Sequence, residues 1–72
     1  MEKTNTFYLE GQDVIELHDL LKVMGMCESG GMAKTAIAAG LVKVDGNVEL
    51  RKRCKIRTGQ QVEFQGRIII II

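Results

Sequence analysis

Five cations fall within seven residues in Arg51-Lys52-Arg53-Cys54-Lys55-Ile56-Arg57, with no acid among them. Cations crowded in this way repel one another and gain little by folding together, whereas a polyanion would neutralise them. A purely solubilising face usually intersperses acids with its bases. On an extended backbone Arg51, Arg53, Lys55 and Arg57 would point one way, and Lys52, Cys54 and Ile56 the other. A second feature of this kind is Ser29-Gly30-Gly31, followed by Met32-Ala33-Lys34. Ser29 reads as a helix N-cap. A helix start presents unpaired amides and the positive end of the dipole. Two glycines admit a sugar-phosphate backbone, and Lys34 adds a charge one turn inside. The Gly-x-x-x-x-Gly-Lys spacing of a nucleotide P-loop is absent. An ordinary capped helix shows the same local pattern, so that pattern leaves both readings open.

Catalytic and metal chemistry have less support. The chain has one histidine, His18, and two cysteines, Cys27 and Cys54. A nucleophile–base pair would need His18 beside one of the thiols with an orienting carboxylate, and no spacing suggests that. A metal centre needs three or four ligands, and no Cys-x-x-Cys or His-x-x-x-His grouping pairs any two. The expectation is therefore no enzyme, no cofactor and no metal, with the cysteines as reduced packing residues. The small size also argues against a pocket that encloses a substrate.

The chain has 72 residues, 46% of them apolar and 26% charged, with no proline. These values suit one small folded domain spanning residues 1–72 and exclude a disordered or collagen-like chain. The longest apolar run, Ile68–Ile72, falls far short of the ~20 residues that span a bilayer. The N-terminal residues show no export signal, so the expected location is the cytoplasm. The net charge of +1 conceals an asymmetry. Residues 1–33 hold two Lys or Arg against six Asp or Glu, and residues 34–72 hold eight against three. Such a split between halves points to a polyanionic partner. Aromatic residues are limited to Phe7, Tyr8 and Phe64. Stacking of single-stranded bases is therefore not the expected mode, and contact with the phosphates and shape of structured RNA is.

The elements that must position these residues follow from periodicity. Thr6–Leu9 is a short β-prone run. Asp13 with Glu16 three residues later reads as a capping box, and Val14, Leu17, Leu21 and Met24 fall at helical spacing, predicting a first helix over Asp13–Met24. A second helix over about Gly30–Ala39 carries a small-residue stripe, Ala33, Ala36, Ile37 and Gly40, which permits close approach to the first. The pattern then alternates. Leu41–Val44 reads as a strand and Asp45-Gly46 as a two-residue hairpin turn, with Val48 and Leu50 on the return. Turns at Thr58-Gly59 and Gln65-Gly66 flank Gln61–Phe64, and Arg67–Ile72 ends the chain. Two helices followed by a β-rich half make an α+β domain. The isoleucine run is expected as a strand of the core sheet, its alternative being an exposed, sticky edge.

With those residues in place, the stretch Glu16–Lys22, the run Ser29–Lys34 and Ile37–Gly46 resemble the S-four RNA-binding domain, named after the fourth protein of the small ribosomal subunit. The likeness extends from about Val14 to Phe64 and is strongest to stand-alone bacterial members, through Glu28-Ser29-Gly30, Lys43–Gly46 and Arg51–Ile56. It implies two packed helices, the alpha-L motif, against a small bent sheet. It also implies an RNA surface made by the second helix, its approach and the following β-loop. By position, that surface comprises Ser29, Gly30, Gly31, Lys34, Lys43, Arg51, Lys52, Arg53 and Lys55, with Lys22 at its edge. Many members carry arginine where this chain has Glu16, and proline where it has Lys52. The resemblance implies a monomeric, non-catalytic protein that contacts structured RNA, ribosomal or transfer, through phosphates. The alternative is a protein-interaction or ribosome-assembly accessory module that touches RNA weakly. Synthase and synthetase activities attached to this domain elsewhere do not transfer.

Overall fold

After Gly40 the chain leaves a helical repeat for an alternating one, and at that point it leaves its two helices and builds the greater part of its main sheet. The computed structural model describes residues 3–72. The reading of the N-terminus as lacking an export signal falls partly on residues outside these. In order, the elements are β1 (Lys3–Phe7), β2 (Ile15–Glu16), α1 (Leu17–Val23), α2 (Gly30–Ala38), β3 (Val42–Val44), β4 (Asn47–Val48), β5 (Lys55–Ile56), β6 (Gln61–Phe64) and β7 (Arg67–Ile71). Five strands form a sheet in the order β1-β7-β6-β3-β4, and β2 pairs with β5 separately. β1 runs parallel to β7, while the other pairs are antiparallel, so the main sheet is mixed. The α+β class and the helix pair packed on a sheet agree with the sequence reading. No helix among the described residues is long and apolar enough to cross a membrane.

The sheet follows its period-2 pattern. Val42, Val44, Val62, Phe64, Ile69 and Ile71 are buried, and the residues between them turn outward. They meet Leu17, Leu20 and Leu21 of α1 and Ala33, Ala36 and Ile37 of α2 in one core. Asp45 and Gly46 have φ of 51° and 85°, the positive values that a type I′ hairpin needs, and β3 and β4 pair on either side. Asp45 also ties the next turn, because its Oδ1 accepts from the Gln61 amide at 3.0 Å and its Oδ2 from Gln60 Nε2 at 3.2 Å. The isoleucine tail is an interior strand: β7 lies between β1 and β6, paired on both sides. The first strand lies slightly earlier than Thr6–Leu9, but Leu9 still donates its amide to Ile72 O at 2.9 Å.

The helix ends divide the local predictions. Ser29 caps α2 as expected, its Oγ accepting from the Met32 amide at 3.1 Å. At the other end the Gly40 amide donates to Ile37 O and the Leu41 amide to Ala36 O, a Schellman stop made possible by φ of 78° at Gly40. The predicted start of α1 is corrected. Asp13 caps nothing, and the helix begins four residues later at Leu17, with no side-chain cap at Glu16. Ile15 and Glu16 are drawn instead into a strand pair with Ile56 and Lys55. The first amides of α1 then find remote acceptors: Leu17 N donates to Cys54 O at 2.9 Å and His18 N to Lys52 O at 3.2 Å. A tertiary ladder thereby satisfies the donors that a capping box would have served.

Candidate nucleic-acid interface

That ladder places the basic run. Residues 49–54 leave β4 as a loop that lies across the start of α1, and its carbonyls hold it there. The expectation of an extended backbone through Arg51–Arg57 is therefore corrected. Arg51 to Cys54 form a turn closed by Cys54 N donating to Arg51 O at 3.1 Å, and only Lys55–Ile56 is strand. The four cations expected on one side nevertheless come together, joined by Cys54, which the extended reading placed opposite them. Arg51, Arg53, Lys55 and Arg57 line one shallow hollow of about 420 Å³ together with Cys54. Lys52 is exposed outside this lining, and its carbonyl faces α1.

The run is free of acids in sequence but not in space. Glu49 grips Arg51 through three bonds: its Oε2 accepts from the Arg51 amide and from Nε, both at 3.0 Å, and its Oε1 accepts from Nη2 at 3.1 Å. These bonds hold the Glu49 carboxyl down at about 2. Arg51 is thus the cation of this run that is held by several close bonds. The signal was legible as an acid two residues before the arginine, but the sequence does not say that the chain turns there.

Glu16 is the second acid. Its Oε1 lies 2.8 Å from His18 Nε2 and 3.9 Å from Arg53 Nε. Lys55 is its partner across the β2–β5 pair. The bond from His18 holds the Glu16 carboxyl below the usual carboxylate range; burial opposes it, and the charges of Arg53, His18 and Lys34 add to the lowering. His18 sits at the seam. A Cβ added at Gly30 would lie 3.8 Å from His18 Nδ1, so the first turn of α2 abuts the ring. Gly30 and Lys34 are thereby brought toward Arg53 and Lys55 through His18 and Glu16, whereas Ser29 and Gly31 line a separate hollow with Met32, Thr35 and Leu41. Lys43 stands apart. It faces outward from β3 between buried Val42 and Val44, in register with Val48 and Glu63. Sequence reasoning weighed His18 only as a catalytic base or metal ligand, because its neighbours come from α2 and from the loop.

The same side chains bear on catalysis and metals. Burial pushes the thiols of both Cys27 and Cys54 up, the reverse of an activated nucleophile. Glu16, His18 and Asp19 bring potential ligand atoms within 4.8 Å of one another. Glu16 is engaged by Arg53, and the His18 ring has Glu16 at one nitrogen and Asp19 Oδ1 at 3.5 Å from the other. One cation cannot take both ring nitrogens, and the adjoining guanidinium repels it, so the cluster reads as an ion-pair network.

Comparison with known proteins agrees with this architecture. Residues 7–72 match the family described as S4 domain. The chain is 55% identical over 67 residues to "Putative RNA-binding protein YbcJ" of Escherichia coli (strain K12), covering 93% of this chain and 96% of that relative. An "Uncharacterized protein YbcJ" of Shigella flexneri matches to the same extent. The solution structure of YbcJ from E. coli, described as revealing an alfaL motif involved in RNA-binding, superposes with a TM-score of 0.74 at 53% identity, over 100% of this chain and 91% of that one. The paired helices on a mixed sheet and these matches along nearly the whole chain lead to one conclusion: the protein belongs to the S4 domain family.

Proposed function

We propose that this protein is a non-catalytic RNA-binding module that holds structured RNA, ribosomal or transfer, by its backbone phosphates. It acts as a monomer in the cytoplasm. The observation that carries this reading is the hollow where Arg51, Arg53, Lys55 and Arg57 converge, in the loop held against the start of α1. A concave cluster of one sign focuses its field on a polyanion, and arginine forks fit phosphate oxygens. Phe64 is buried in the core and offers no face to a base. A-form RNA presents its phosphates and 2′-hydroxyls more readily than its bases, which suits a surface rich in cations and poor in rings. The relative named as RNA-binding supports the same reading. The sticky-tail motive for a protein-interaction module loses its basis, because β7 is paired on both sides.

The test is transfer-RNA binding as a function of salt. Neutralising about five phosphates gives a log–log slope of about −4. The combined variant Lys52→Ala, Arg53→Ala, Lys55→Ala is expected to lower affinity by about a hundredfold or more at 0.1 M salt, with unchanged circular dichroism. Binding that ignores salt, or survives this variant intact, refutes the assignment.

A further inference from the structure

One carboxylate lies where the proposed surface should be most positive. Glu16 Oε1 has His18 Nε2 at 2.8 Å and Arg53 Nε at 3.9 Å. Lys55 is its cross-strand partner, and Lys34 acts on it from the first turns of α2. Direct cross-strand partners have Cβ atoms about 5 Å apart, so Lys55 belongs to the same neighbourhood. His18 from α1 and Arg53 from the loop thus reach one anionic oxygen, the charge of Lys34 on α2 acts on the same carboxylate, and Lys55 stands across the strand pair from it. A phosphodiester oxygen makes the same demands on its partners: charge-assisted N–H donors at about 2.7–2.9 Å.

We propose that Glu16 holds, in the free protein, the seat of an RNA backbone phosphate, and that an entering phosphate displaces its carboxylate and takes over His18, Arg53 and Lys34. This rests on the RNA-binding reading above and deepens it, naming His18 as a phosphate contact and Glu16 as its internal competitor. The exchange is open sterically, because the Glu16 side chain is 35% exposed and can swing into water. It is also open energetically. An ion pair at this exposure contributes little to stability, so giving it up obstructs folding little. Glu16 is ionised throughout the neutral range, since its neighbours hold its carboxyl low. Another anion, rather than proton uptake, is therefore what empties the seat.

Glu16→Gln removes the charge and keeps an oxygen that can accept from His18. In filter binding with total bacterial transfer RNA at 0.1 M salt, this variant is expected to bind about threefold to tenfold more tightly than the parent. The single histidine gives a second readout. On saturating the parent with transfer RNA, the ring-nitrogen NMR signals of His18 should shift as the Glu16 bond is replaced. Equal or weaker binding by a folded Glu16→Gln overturns the proposal while leaving the RNA reading intact. Unmoved His18 signals in an RNA-saturated parent overturn it in the same way. Should the parent bind neither transfer RNA nor ribosomal RNA, the RNA reading fails, and inorganic pyrophosphate tests the seat alone. Saturable shifts at His18, tighter in Glu16→Gln, then support the seat, and their absence overturns it.

Discussion

Two acids face two arginines in this loop region, and the pairs differ in kind. Glu49 receives three hydrogen bonds from Arg51, and its side chain is only 17% exposed. Glu16 meets Arg53 at 3.9 Å and is 35% exposed, with its one close bond coming from His18. The first pair is a clasp that includes a backbone amide and so shapes the turn. The second is a loose contact at the mouth of the candidate interface. Arginines two residues apart in a basic run are therefore unequal. Arg51 is committed to the fold, while Arg53 retains most of its donors for a partner.

Substitutions can break or sharpen that contrast. The largest expected effect is on affinity. Arg53→Ala should weaken transfer-RNA binding about fivefold to tenfold at 0.1 M salt and flatten the salt slope by about 1, as the loss of one phosphate contact requires. Arg51→Ala should flatten it less, and equal slopes would erase the distinction. Next comes stability. Glu49→Gln should cost about 1 kcal/mol in urea unfolding at neutral pH, since a neutral amide cannot receive the guanidinium fork. The pH dependence has a definite sign. The Glu49 carboxyl is held at about 2 against an ordinary 4.5, so its contribution is present above about 4.5 and lost as pH falls toward 2. The parent should lose that stability on acidification, and Glu49→Gln should lack this component of the loss. The smallest effect is that of Glu16→Gln on melting temperature, expected to be within the scatter of replicate melts. A large drop would mean that Glu16 is a clasp as well.

Legibility in the sequence differs along the same line. Ser29, Gly40 and Asp45-Gly46 each act through bonds to residues one turn or one hairpin away, and their roles were readable because the partners are near in sequence. The β6–β7 hairpin was readable for the same reason. Asp13 misled because a local capping box competed with a strand pair to Lys55 and Ile56, which lie some forty residues on, and the remote pair prevailed. The Arg51–Arg57 run was recognised by composition, but its shape was not, since that shape depends on Glu49 and on amides of α1.

The sequence by itself determined the α+β class, the capped second helix, the alternating sheet and the presence of a concentrated positive charge. Each is written in periodicity, turn chemistry or composition, which act over a few residues. Only the tertiary structure decided which of those charges are available. Availability depends on where acids from other elements come to rest. Glu49 reaches Arg51 because the chain turns, and Glu16 reaches His18 and Arg53 because β2 pairs with β5. Charges interact through space, and the distances that set their strength follow from the packed core rather than from their order along the chain.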